Sequence, residues 1–183
     1  MTSPTPLPPH LLAPLLASDT EIYPSSARLS LSRLESWIDA APSLSLLFPS
    51  GGVIIALPML ASHWKSLVTG ELNEWDIDAR FLYPETTAAH GGPQPMEIGI
   101  HSWHIERNGE PPGFGKRAME EVKQRVEALG LRITGWSALA VTEDGIGLCR
   151  SFGWRERAVE ESRGGGRLMW LEGSNWKAPT PAL

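Results

Sequence analysis

The chain has 183 residues, 42% of them hydrophobic and 20% charged, and a formal net charge of −5. That length suffices for the core of one domain, and the acidic balance argues against nucleic acid or an anionic membrane surface as the main partner. A single cysteine, Cys149, excludes a disulfide framework and a cysteine-based zinc site, and fits a reducing, cytoplasmic setting.

In chain order, Pro4, Pro6, Pro8 and Pro9 make residues 1–18 a flexible proline-rich arm. Leu11-Leu12 and Leu15-Leu16 follow no Lys or Arg and are interrupted by proline, which is not a signal-peptide pattern. No stretch approaches the roughly 20 apolar residues of a membrane span. Leu31, Leu34, Trp37, Ile38 and Ala41 recur at helical spacing, with Ser32 and Glu35 as a capping box and Pro42 as the stop. Ser43 to Phe48 and Val53 to Leu60 read as strands joined by a hairpin at Pro49-Ser50-Gly51-Gly52. A short helix over Ala61 to Val68 ends at Gly70.

Glu71, Glu74, Asp76 and Asp78 then surround Trp75. The plain reading is a solvated turn. The sharper one is an acidic rim that attracts a cationic amine, with Trp75 and Tyr23 adding cation–π contacts. After a loop marked by Gly91-Gly92-Pro93 and Pro95, a strand runs from Met96 to Glu106. Alternation places Glu97, Gly99, His101, Trp103 and Ile105 on one face. Glu97 and His101 are therefore the general-base candidates, and an imidazole suits that task near neutral pH. Their plain readings are a strand-end carboxylate in water and a hydrogen-bonded sheet histidine. His104 falls on the opposite face, as a structural contact. The same parity keeps one metal from taking both histidines, so no metal site is expected.

Pro112-Gly113-Phe114-Gly115-Lys116-Arg117 opens a helix that runs to Leu129, with Ala118, Met119, Val122, Val126 and Leu129 on one face and Gly130 as its C′ residue. A strand, a glycine turn and a helix N-terminus make an anion cradle, whose usual occupant is a phosphate. Leu131 to Val141 is a strand broken at Gly135, Asp144 to Phe152 a short helix ended by Gly153. Arg155 to Glu160 and Leu168 to Glu172 pair as a last hairpin around a mobile turn at Arg163 to Arg167, and 173–183 is a tail. Trp37 falls on a core stripe, and Trp103, Trp136 and Trp154 are expected to pack around the central strands. The order is that of an α/β domain with a mixed central sheet and helices on both faces. No nucleophile elbow and no Walker loop are present.

Two anchors in this order resemble the Gcn5-related N-acetyltransferase (GNAT) superfamily over residues 19–172. Trp103-His104-Ile105 ends a strand and Gly113-Phe114-Gly115 opens the next helix, similar to the family's Arg/Gln-x-x-Gly-x-Gly/Ala turn. Leu148-Cys149-Arg150-Ser151-Phe152-Gly153-Trp154 resembles its Phe-Tyr-x-x-x-Gly-Phe ending. The resemblance implies a single-domain GNAT-like fold and an acetyl-CoA-dependent N-acetyltransferase. It would act on a primary amine, on a small molecule rather than a protein, by direct attack on the thioester, as a monomer or homodimer. It also implies a pyrophosphate on the N–H groups of Gly113, Phe114, Gly115 and Lys116, and a pantetheine arm bonded beside Trp103 and Ile105 like an added strand. Departures from the pattern are specific. The family's Arg/Gln falls on Glu110, and Pro111 and Pro112 lack N–H donors. The tyrosine that often protonates coenzyme A falls on Cys149, a thiol able to give a proton, and a frequently used asparagine falls on Thr142. These departures motivate two rivals, a non-catalytic acyl-CoA-binding module and a GNAT-fold enzyme turned to CoA-independent cyclisation, isomerisation or lyase chemistry. A bulge in the central strand, usual in the superfamily, would re-aim the side chains assigned by parity.

Overall fold

The computed structural model describes residues 3–22, 29–85, 95–160 and 166–173. The strands among them are β1 (Thr5–Pro6), β2 (Ser45–Leu47), β3 (Val53–Leu60), β4 (Glu97–Glu106), β5 (Arg132–Ala140), β6 (Arg155–Ala158) and β7 (Arg167–Glu172). The helices are α1 (Leu12–Ile22), α2 (Leu31–Ala40), α3 (Ala61–Thr69), α4 (Phe114–Ala128) and α5 (Glu143–Ser151). The strands form one sheet in the order β1-β2-β3-β4-β5-β7-β6. Every described pairing is antiparallel except β4 with β5.

Burial explains why the sheet carries helices on both faces. Seven of the eight residues of β3 are buried, a run of apolar side chains that needs cover above and below. Ile54, Ile98, Ile100 and Trp136 join Met119, Val122 and Val126 of α4 in one core. Ile55, Leu57 and Trp103 join Leu34 and Trp37 of α2 and Trp64 of α3 in the other. Trp103, Trp136 and Trp154 are all buried, as their expected packing requires.

Several local expectations change. The cap of α2 is Ser30, whose hydroxyl accepts from the Arg33 N–H, two residues earlier than the Ser32 box. β5 runs unbroken through Gly135. The arm expected to be flexible over 1–18 is folded over its described residues, 3–18: Thr5 and Pro6 pair with Leu47 and Leu46, and Leu7, Leu12 and Leu15 are buried. The prolines permit this because they sit on an edge strand and in first helical turns, where a missing N–H costs no ladder bond. The loop at Gly91-Gly92-Pro93, the turn residues 163–165 and the tail beyond residue 173 lie outside the described residues.

Two irregularities position the site. Ile55 pairs with His104 and Ala56 with Ser102, so Trp103 is an extra residue in β4. Likewise Ile98 pairs with Ile133 and Gly99 with Gly135, which skips Thr134. The β4–β5 ladder ends at His101 and Ser137, while β4 continues along β3 to Glu106 and β5 along β7 to Ala140. The two central strands therefore part beyond His101.

Just before the parting, the Trp64 indole lies across both strands. A Cβ on Gly99 would stand 2.0 Å from Trp64 Cγ, and one on Gly135 2.2 Å from Trp64 Cη2. Glycine is thus required at both positions by the close approach of a rigid ring. Gly99→Ala is expected to destabilise the fold by about 1–3 kcal/mol, the usual cost of overpacking. Urea denaturation checks this, and an unchanged midpoint would contradict the placement of Trp64.

Candidate functional site

The parting of β4 and β5 leaves a cavity of about 170 Å³. Ser102 to Ile105 line it from β4, Ala138 to Ala140 from β5, Thr142, Leu148 and Cys149 from α5 and its cap, and Asp19 from α1. Bare strand edges facing such a gap can accept an extended ligand as an added strand. Trp103 and Ile105 stand where that ligand would pair.

At the start of α4, Gly113 adopts φ 80°, a left-handed turn that aims the helix without a side-chain cap. The first intrahelical bond of α4 runs from the Arg117 N–H to the Gly113 carbonyl. The N–H groups of Phe114, Gly115 and Lys116 precede it and remain to bind an anion. This helix start abuts the cavity, because a Cβ on Gly115 would stand 2.7 Å from Cδ2 of Leu148, which lines it.

The Glu110 carboxylate does not oppose an anion here. It is buried, accepts the Ser50 N–H at 2.8 Å and lies 3.4 Å from Arg117 Nη2, so it is committed to the β2–β3 hairpin. Arg117 also donates to the Pro112 carbonyl at 3.0 Å, closing the proline loop on itself. Lys116 is exposed beside the free donors. The residues present therefore fit a phosphate-bearing ligand whose arm enters the cavity.

The bulge at Trp103 overturns the assignment of faces. His104 sits opposite Ile55 and His101 opposite Leu57, both on the side of α1–α3, while Ile105 sits opposite Ile54 on the side of α4. His104, expected as a structural contact on the far face, instead lines the cavity. Its Nδ1 lies 3.4 Å from Asp19 Oδ1 and its Nε2 3.5 Å from Glu106 Oε2. Nε2 makes no hydrogen bond in this geometry. Asp19 faces Nδ1, and Nε2 is buried beside Glu106, so carboxylates stand at both ring nitrogens. Parity no longer separates the two histidines, but different carboxylates hold them.

His101 is wholly buried and absent from the cavity lining. Its Nε2 lies 2.7 Å from Glu74 Oε1 and its Nδ1 3.0 Å from Ser137 Oγ, which accepts the Trp64 indole N–H at 3.0 Å. Glu, His and Ser in this chain look like a hydrolytic triad, but a Ser137 with no exposed surface offers no nucleophile. Desolvation raises the Glu74 carboxyl above its ordinary 4.5; the hydrogen bond and charge of His101 oppose that, and Asp19 adds to it. The plain reading of His101, a hydrogen-bonded sheet histidine, is the one the geometry supports.

Other candidates fall elsewhere. Glu97 is exposed at the start of β4, paired with Arg132, with the whole β4–β5 ladder between it and the cavity. Cys149 lines the cavity, but burial pushes its thiol up to about 12, which makes it a poor proton donor to a thiolate. Thr142 caps α5, its Oγ1 accepting the Gly145 N–H at 3.1 Å. The acidic run does not form a rim, because Glu74 turns inward, Asp76 accepts from Asn73, and Asp78 pairs with Arg80, whose hydrogen bond lowers Asp78 to about 2. Trp75 is half-buried and lines a second cavity with Glu74, and Tyr23 lies outside the described residues. Asp19, Trp64 and Ser137 were not foreseen. Nothing local to them signals a role, since each acts through a partner at least 36 residues away in sequence.

No family model matches the chain, and no curated protein matches it in sequence. Solved structures do match its shape. The GphF GNAT-like decarboxylase in complex with isobutyryl-CoA is 12% identical, with 93% of this chain and 99% of that one covered at a TM-score of 0.58. A Drosophila melanogaster polyamine N-acetyltransferase that forms N-acetylagmatine is 12% identical, with 93% and 99% covered at 0.54. An agmatine N-acetyltransferase mutant in its apo form is 14% identical, with 93% and 98% covered at 0.52. The chain has the GNAT fold.

Proposed function

We propose that this chain is an acyl-CoA-dependent N-acyltransferase that moves an acetyl-sized group onto a small primary amine, with the gap between β4 and β5 as its active site. The observation that carries the reading is the meeting of that gap with the uncapped start of α4, from which Glu110 is turned away. Phe114, Gly115 and Lys116 would hold the pyrophosphate, and the strand edges at Trp103 and Ile105 the pantetheine arm. Acetyl-CoA supplies an activated acyl group as a thioester.

The chain's own part is to position and to move protons. His104 takes the proton of the incoming ammonium, and the imidazolium so formed lies between the Asp19 and Glu106 carboxylates. As nitrogen bonds to the acyl carbon and the carbon–sulfur bond breaks, the nitrogen's second proton passes to the leaving thiolate and the imidazolium returns the first to solvent. The raised thiol of Cys149 is not suited to protonate the thiolate.

The surroundings also favour an amine over a carboxylated acyl group. No Lys or Arg is among the described residues lining the cavity, while Asp19 lines it and Glu106 stands at His104. Like charge disfavours a carboxylate there, so decarboxylation of the kind named for one structural neighbour fits less well. The neighbours that act on polyamines and agmatine match the proposed acceptor class.

Calorimetric titration with acetyl-CoA and free CoA, followed by a screen of small amines, tests the proposal. The expected result is micromolar binding of both and thiol release that depends on an amine. Binding without turnover across the screen would leave an acyl-CoA-holding module, and no binding at all would remove coenzyme A from the account.

A further inference from the structure

We infer that Leu139 is the residue that limits the length of the acyl group, an inference that rests on the acyl-transfer reading above. The gap between the strands is closed at its inner end by the last ladder pair, His101 and Ser137, neither of which has exposed surface. An acyl chain longer than the gap must therefore leave the plane of the sheet. On the α4–α5 side the cavity wall at Ala138 and Ala140 of β5 is backed by the core around Trp136 and Met169. On the other side the chain meets Leu139.

Leu139 is buried yet belongs to neither core. Among the described residues it is the one common to the linings of the acyl cavity and of the second cavity. That second cavity is small, about 20 Å³, and walled chiefly by apolar groups, Leu67, Leu72, Val159 and Leu168, the last being the cross-strand partner of Leu139 in β7, so most of the room for a longer chain must come from the isobutyl group itself. A single isobutyl side chain thus separates the acyl site from an apolar space on its far side. With Leu139 in place the site accepts a two-carbon group and turns a six-carbon chain back toward solvent. Without it the two cavities join, and the longer chain gains an apolar berth. One methylene in such a pocket is worth roughly 10-fold or more in discrimination.

The test is calorimetry of the full chain and its Leu139→Ala variant with free CoA, acetyl-CoA and hexanoyl-CoA, which requires no knowledge of the acceptor. Hexanoyl-CoA is expected to bind the wild type no more tightly than free CoA does. It should bind Leu139→Ala roughly 10-fold more tightly, so that the hexanoyl-to-acetyl affinity ratio rises by about that factor. Should Leu139→Ala fail to show a wild-type-like melting transition, Leu139→Val removes less volume and is expected to shift the same ratio by a smaller factor. The inference is overturned if the folded variant binds free CoA normally but leaves the hexanoyl-to-acetyl ratio unchanged. It is equally overturned if the wild type already prefers hexanoyl-CoA. Failure of the wild type to bind free CoA would sink the acyl-transfer reading itself, and this inference with it.

Discussion

His104→Ala is expected to lower kcat for amine acylation by roughly 10²–10⁴-fold, the usual worth of a positioned general base, with little change in affinity for free CoA. The separation follows from position. His104 meets the cavity from the α1 side through its imidazole, whereas the coenzyme would be held by backbone N–H groups of α4 and the strand edges, which the substitution leaves intact. Asp19→Asn keeps the shape of the partner and removes its charge, so it should have a smaller effect on kcat than loss of the imidazole. Steady-state kinetics of the two variants would show both effects. Full activity in His104→Ala would mean that the amine is deprotonated in solvent and that the Asp19–His104 contact only packs.

The elements that a reader of the sequence can place are those whose information is local. α3 ends at Gly70 with φ 88° and α4 lies between Gly113 and Gly130, because these glycines adopt conformations other residues avoid. The helical stripe of α2 and the apolar run of β3 depend only on neighbours in sequence. The site depends on pairing between distant segments. One extra residue, Trp103, reverses the parity of β4 and moves His104 to the cavity face. That bulge is supported by contacts such as the edge-on packing of Trp103 against Trp37, with ring centroids 6.1 Å apart, from a helix more than 60 residues earlier. Glu74 lies in a run of carboxylates that composition reads as solvated, and its burial becomes intelligible only once His101 is known to face it. The N-terminal prolines misled in a different way. Their frequency suggests an unstructured arm, but Leu7, Leu12 and Leu15 between them supply apolar area that the sheet edge and α2 can bury.

The buried chain of Glu74, His101, Ser137 and Trp64 carries the largest stability prediction. It ties the 74–76 turn, β4, β5 and α3 together at the point where the central strands part. His101→Leu orphans the Glu74 carboxyl and strips the Ser137 hydroxyl of one of its two partners in a dry interior, and is expected to cost about 3–5 kcal/mol in urea denaturation. Replacing both members, His101→Leu with Glu74→Leu, removes the orphaned carboxyl, so the double variant should recover much of that loss; strict additivity of the two single costs would argue that the groups are not coupled. The proton content of the pair has its own signature. Desolvation holds the Glu74 carboxyl above 4.5 in the folded chain. From about pH 4.5 upward to its raised value, the folded state keeps a proton that the unfolded state releases, so this group's contribution to stability falls as pH rises. Glu74→Gln cannot titrate, and the stability of the wild type relative to it should therefore decline over that range. A difference that stayed level over that range would mean that the folded chain does not hold the Glu74 proton above 4.5.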